Sequence, residues 1–188
     1  MKKVIENNFN EHIEVAKSIH LLTDAIAISA QLCIDCIKNG GKILLFGNGG
    51  SAADAQHIAA ELVGRYKGDR KSLPAIALTT DSSALTAISN DFGFSHLFDR
   101  QVEALANKGD IAIGISTSGN SINIINALKV ASELNCHTIG LSGQDGGLMK
   151  EICDVALNVS SKDTPRIQEM HILIGHTICH LIDREFKD

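Results

Sequence analysis

Short apolar runs punctuate this chain at near-regular intervals. They fall at residues 43–46 (ILLF), 74–78 (PAIAL), 111–115 (IAIGI), 137–141 (HTIGL) and 155–159 (VALNV). Between them lie longer stretches whose apolar positions recur every three or four residues, the spacing of a helix with one buried face. Short strands alternating with helices predict a doubly wound α/β fold on a five-stranded parallel sheet, each run buried on both faces. Helices are predicted over 2–22, over 25–38 with Thr23 or Asp24 as cap, and from 52 onward. Others are predicted over 83–89 and 96–106, from 122 to about 134, and over 164–186.

The last of these carries Ile167, Met170, Ile174, Ile178 and Leu181 on one stripe, with Ile172, Leu173 and Cys179 off it. Thr164 reads as its cap and Pro165 as its first residue. A helix apolar nearly all round needs cover on most sides, which predicts an oligomer with this helix near its centre. The chain reads as one domain over 1–188: N-terminal helices to 40, an α/β core over 42–160, and the C-terminal helix.

Composition narrows the function. A net charge of −5 without a Lys/Arg cluster, no tryptophan and few aromatics argue against a nucleic-acid surface. The first residues, MKKVIENNFNEH, are too polar for a signal peptide, and no apolar run reads as membrane length. Five cysteines, an odd number, read as reduced thiols in a cytoplasmic protein. Cys33 and Cys36 stand in a CxxC, but no second ligand pair follows, so they read as buried helical thiols.

Two glycine- and hydroxyl-rich segments each follow a predicted strand and precede a helix: GNGGS at 47–51, after its opening glycine, and STSGNS at 116–121. In parallel sheets such loops meet at the C-terminal edge of the strands, where ligands bind. Glycines let backbone approach a ligand, and the helix N-terminus offers unpaired N–H groups and a positive dipole end. The hydroxyls of 116–121 favour an anion, most plausibly a phosphate monoester. GNGGSA also fits a dinucleotide pattern, but lacks the acidic residue about twenty positions on. There is no GxxxxGK[ST] and no GxSxG, so nucleotide hydrolysis and a serine nucleophile find no support.

His57 and Glu61 share one helix face, as an acid/base or metal pair or as an ordinary solvent-facing one. On the last helix His176 and His180 are four residues apart, and Gln168 and His176 eight apart, about 80° around the axis. Spacing alone does not choose among these, and each lone histidine, His171 included, can equally be a packed residue.

GNGGS with DAQHIAAELVGRY, then NDFGF, GISTSGNS and RIQEMH, resembles the sugar isomerase (SIS) family in matching order along nearly the whole chain. The resemblance implies a SIS fold, a homotetramer, a small-molecule sugar phosphate substrate and, in some members, zinc, with no nucleotide cofactor. It assigns the phosphate to Ser116, Thr117, Ser118 and Ser121, with Ser51 nearby. Asn48, Gly49, Gly50, Asn90 and Asp91 would hold sugar hydroxyls, and Glu61 and Gln168 would also touch substrate. His57, Glu61, Gln168 and His176 match the metal positions, with Glu61 and His176 catalytic, so His171 and His180 are left structural. The activity implied is aldose–ketose isomerisation of a seven-carbon sugar phosphate through an enediol. A second branch of the family, the DnaA initiator-associating protein, is a tetrameric protein-binding scaffold that lacks counterparts of Glu61 and His176.

Overall fold

The computed structural model describes residues 1–187. Five parallel strands form one sheet in the order β2-β1-β3-β4-β5: β1 (Ile43–Gly47), β2 (Ala75–Ala77), β3 (Ile111–Ser116), β4 (His137–Gly143) and β5 (Val155–Val159). Eight α-helices surround it: α1 (Lys2–Ser18), α2 (Thr23–Lys38), α3 (Gly50–Val63), α4 (Ser82–Phe92), α5 (Asp99–Leu105), α6 (Ile122–Glu133), α7 (Met149–Ile152) and α8 (Thr164–Phe186). The doubly wound architecture expected from the pattern is therefore present.

The central strands explain it. Ile43, Leu44, Leu45 and Phe46 of β1 are all fully buried, but to opposite sides. Ile43 and Leu45 join a core with α2, α3 and α8, while Leu44 and Phe46 join one with α5, α6 and Met149 of α7. Alternate residues of a strand point to opposite faces, so an unbroken apolar run needs helices on both. Truncating one such Leu to Ala costs about 2–5 kcal/mol, a large share of a domain's stability.

Strand order reverses between β1 and β3, which pair from Ile43↔Ile111 to Gly47↔Ile115. From there α3 covers one face and α6 the other, opening a crevice at the C-terminal edge. Both loops singled out in the sequence start at this point.

Several local expectations change. β2 lies at the sheet edge, so Ile76 is 40% exposed rather than buried on both faces. Thr23 does not cap α2: its hydroxyl bonds back to the carbonyl of His20, in a 3-10 turn (Ile19–Leu22) that carries α1 into α2 without a break. Asp163, not Thr164, occupies the cap position of α8. α4 runs on to Phe92, taking in Asn90 and Asp91, and Asp81 caps it with 3.0 Å bonds from the N–H groups of Ser83 and Ala84. The helix after it begins only at Asp99. The continuous stretch Lys2–Lys38 does include a window long and apolar enough to cross a membrane, contrary to the sequence reading. Its apolar side chains in α2 (Ile26, Ala30, Cys33, Ile34 and Cys36) are instead buried against the sheet. Burial raises the thiols of Cys33 and Cys36, the latter to about 11, which suits packed rather than ligating cysteines.

The chain itself covers most of α8. Ile167, Met170, His171, Ile174, Gly175, Ile178, Cys179 and Ile182 are buried at the three-and-four spacing of one wide stripe. Cys179 thus belongs to the stripe, Ile172 flanks it, and Leu173 alone of the three is exposed. The uncovered apolar surface lies elsewhere. No residue of α1 is buried, and Val4, Ile5, Phe9 and Ile13 are about half or more exposed.

Candidate active site

The first turn after β1 needs its glycines. Gly49 sits at φ +56°, ψ −121°, a conformation closed to side-chain-bearing residues, and its carbonyl accepts from Ala52 and Ala53. At Gly50 any Cβ would collide with the side-chain amide of Gln168 on α8. The turn therefore holds backbone and a polar amide in direct contact. A cleft of ≈ 200 Å³ opens beside it, lined by Gly47, Asn48, Gly49, Thr79, Phe94 and Phe98, among others. Ser51, in the first turn of α3, is buried, 3% exposed.

The second loop gathers hydroxyls. Ser116 Oγ lies 2.9 Å from Ser121 Oγ and 3.4 Å from Ser118 Oγ, while Ser118 Oγ also accepts from the Asn120 N–H at 3.2 Å. Ser121 stands at the N-cap of α6, yet its side chain makes no cap bond and turns to Ser116. Three hydroxyls thus converge where the helix dipole is positive. Thr117, part-exposed, lies between them in the same loop.

Two asparagines tie the loops together. Asn48 donates to Asn123 Oδ1 at 3.0 Å, and Asn123 donates back to Asn48 Oδ1 at 2.9 Å. Asn123 is 1% exposed, and sequence reading missed it because it sits in a helix otherwise read only for its apolar face.

Further along α3 lies a second cluster. α3 and α8 lie side by side with Ile58 seated against Gly175, where a Cβ would clash. His57 Nε2 is 2.9 Å from His176 Nε2 and 3.2 Å from Glu61 Oε1. These three ligand atoms all lie within 4.8 Å of one another, a possible metal site. Two ring nitrogens facing each other share one proton between them, or both turn lone pairs toward a cation. Tyr66 rests on His176 and His180, ring centres 5.7 and 5.9 Å away.

Asp54 completes this face and was missed, although 54, 57 and 61 keep helical spacing. Its Oδ2 is buried without a hydrogen-bond partner among the described residues. Burial raises its carboxyl above the ordinary range, and the nearby His57 and His176 partly oppose that rise.

The structure thus brings together His57, Glu61 and His176 in one group, and Ser116, Ser118 and Ser121 in another. Gln168 meets the glycine turn, about two helical turns before His57 on α3. His180 touches Tyr66, and His171 is fully buried, its Nε2 donating to the Ser142 carbonyl at 3.0 Å. Asn90 and Asp91 are exposed, bond to each other at 2.8 Å, and do not line the cleft.

Comparison with known proteins agrees with this geometry. A family model described as the SIS domain matches residues 8–143. The chain belongs to the SIS domain family. A phosphoheptose isomerase from Aliarcobacter butzleri is 63% identical over 188 residues, covering 100% of both chains. The solved structure of phosphoheptose isomerase from Neisseria gonorrhoeae superposes with a TM-score of 0.93 at 48% identity, covering 97% of this chain and 98% of that one. That of a phosphoheptose isomerase from Francisella tularensis gives 0.94 at 40% identity, covering 97% of each. For a SIS domain protein, loops at the sheet's switch point and a polar cluster between α3 and α8 are the places to seek chemistry.

Proposed function

We infer that this SIS protein is an aldose–ketose isomerase that converts sedoheptulose 7-phosphate to D-glycero-D-manno-heptose 7-phosphate, for bacterial heptose biosynthesis. The observation that carries the reading is full-length similarity, at 63% and 48% identity, to proteins named phosphoheptose isomerase. Glu61 and His176, which the scaffold branch lacks, are both present.

The chemistry follows from the side chains. The reaction moves a proton from the carbon beside the ketone to the neighbouring carbon, through an enediol. Glu61, 20% exposed in its side chain, is the carboxylate assigned to the carbon-bound proton. His176 passes protons on and off the two oxygens. Ser116, Thr117, Ser118 and Ser121 hold the phosphate, where hydroxyl–phosphate bonds are charge-assisted. Asn48, Gly49, Gly50, Ser51 and Gln168 hold the sugar beside the turn. Asn90 and Asp91, exposed and outside the cleft, take no part in this assignment.

Zinc fits the second cluster. Two imidazole nitrogens and a carboxylate oxygen form a suitable donor set, and the orphaned Asp54 oxygen adds negative charge beside it. Tetrahedral zinc with bonds of about 2.0–2.1 Å wants donor atoms about 3.3 Å apart, near the 2.9 and 3.2 Å found. His57, Glu61 and His176 would hold it, while Gln168, which the resemblance also assigns to the metal, sits instead at the glycine turn. Bound there, the ion would polarise the substrate's carbonyl oxygen.

The protein works in the cytoplasm as a homotetramer. Five free cysteines suit a reducing compartment, and the apolar side chains along α1 suit contact with other subunits. A sedimentation mass of one subunit at micromolar concentration, with activity intact, would contradict the tetramer.

Glu61→Gln tests the central assignment. It keeps shape and removes the base, so kcat should fall by about 10²–10⁴-fold with phosphate binding retained. Near-normal kcat in the folded variant refutes the role.

A further inference from the structure

The segment after α3 folds around one carboxylate. Asp183 of α8 is 3% exposed, and its Oδ2 accepts the Gly68 N–H at 3.0 Å while Oδ1 accepts Arg70 Nε at 3.0 Å. The Arg70 side chain is fully buried and spends its other nitrogens on backbone. Nη2 donates to the Glu61 carbonyl at 2.7 Å, and Nη1 to the carbonyls of Leu62 (2.9 Å) and Lys71 (3.0 Å).

Those first two carbonyls belong to the last turn of α3, where helix carbonyls lack partners and the dipole is negative. A buried cation there is a strong cap, and Asp183 neutralises it. Burial alone would raise the Asp183 carboxyl, but the bonds from Gly68 and Arg70 and the guanidinium charge hold it below the ordinary range. One ion pair therefore joins three things: the backbone of Glu61, the loop carrying Tyr66, and the helix carrying His176. Tyr66 in turn packs on His176 and His180.

We propose that the buried Arg70–Asp183 pair is a positioning clamp for isomerisation, fixing Glu61 on α3 in register with His176 on α8. It rests on the isomerase reading above. Neither residue touches substrate; both act through the backbone they hold. An arginine is required because a lysine has no planar fork to serve Asp183 and three carbonyls at once.

The chain supplies its own control. Where β1 and β3 begin, Lys42 Nζ pairs with Asp110 Oδ2 at 2.5 Å, a largely buried ion pair that bonds to no residue of either cluster. It also supplies a probe, for Tyr66 is the single tyrosine and there is no tryptophan. Its emission reports this loop alone.

The experiment compares Arg70→Lys, Asp183→Asn and Lys42→Met, each assayed below its melting temperature with the folded fraction measured by circular dichroism. In Arg70→Lys and Asp183→Asn, kcat per folded chain should fall about 10- to 100-fold, as small misplacements of reacting groups do, with KM nearly unchanged. Acrylamide quenching of Tyr66 should at least double in both. Lys42→Met should lower the melting temperature yet keep wild-type kcat and quenching. Wild-type kcat per folded chain in Arg70→Lys and Asp183→Asn, with unchanged quenching, overturns the clamp and leaves an ordinary structural ion pair. Should the wild-type protein turn over no ketose phosphate, it is the isomerase reading that fails. The quenching comparison then decides alone: a rise confined to Arg70→Lys and Asp183→Asn sustains the clamp on the loop, and no rise overturns it.

Discussion

Asn48 and Asn123 face each other across the switch point of the sheet and exchange both side-chain amide bonds. The pair links a turn on one face of the sheet to a helix on the other. Asn48, which also lines the cleft, keeps one amide N–H outside this exchange. Asn123→Ala removes both bonds of this exchange and leaves Asn48 free to rotate. The expected result is a KM raised about tenfold and a loss of about 1–3 kcal/mol in stability. An unchanged KM would show that Asn48 needs no such support.

The serine loop can be tested for binding apart from folding. A side chain that caps a helix contributes about 1 kcal/mol, but Ser121 makes no cap bond. Ser121→Ala should therefore barely move the melting temperature, while weakening binding of the phosphorylated sugar by about 1.5–3 kcal/mol, the worth of a bond to a charged group. Ser118→Ala should behave alike, and Ser116→Ala with Ser121→Ala more strongly. If affinity for the unphosphorylated sugar falls equally, the loop is not the phosphate site.

Zinc should be present below one ion per chain after purification, and nearly absent from His57→Ala and His176→Ala by elemental analysis. Neutral imidazole is the ligand form, so acidification should release the ion. Added zinc should raise the melting temperature of the wild-type protein by mass action and leave the two variants unmoved. Equal zinc in all three proteins would remove the cluster from consideration as its site.

His171 gives the protein an acid-sensitive joint. Burial is the main cause that holds its imidazole down at about 4, and its Nδ1 has no partner among the described residues. Unfolded, the same ring takes a proton near the ordinary value of about 6.5. Between those values the unfolded chain binds the extra proton, so this contribution is complete above about pH 6.5 and is lost as pH falls toward 4. The loss is of the order of 3 kcal/mol, at 1.36 kcal/mol per pH unit. Urea midpoints at pH 7 and pH 5 should diverge in the wild-type protein, and by about one proton less in His171→Phe. Equal slopes in the two would assign the acid sensitivity elsewhere.

How much of this could be read from the residues differs by kind of contact. β1 and β3 were legible because burial on both faces leaves an unbroken apolar run, whereas β5, at the far edge, alternates buried and part-exposed residues. The strand at 75–77 was legible too, but its place at the edge was not, since Ile76 looks as apolar as its neighbours whether or not a partner covers it. The two loops were legible because glycines and hydroxyls between a strand and a helix have few other uses. His57 and Glu61 stood out at helical spacing, but selecting His176 over His180 needed the family resemblance or the packing of α8 on α3. Asn123, Arg70 and Asp183 were silent. The pairs Asn48–Asn123 and Arg70–Asp183 join positions 75 and 113 residues apart, and no local pattern announces such a bond.

The N-terminal helix carries a further consequence. With 17 residues and none buried, α1 has about the length at which an isolated helix is only marginal in water. What fastens it to its own chain is partly apolar, Val15 and Ala16 at its end packing on the core, and partly polar, such as the 2.7 Å bond from Arg166 to the Asn8 carbonyl and the 2.8 Å contact of His12 with Glu169. In the homotetramer proposed above, the rest of its apolar face would be covered by other subunits, and the order of this arm would then follow concentration as well as temperature. Dilution should loosen it while the sheet stays intact. Hydrogen exchange would register this as protection in residues 2–18 that fades at low protein concentration, with that of β1 and β3 unaltered.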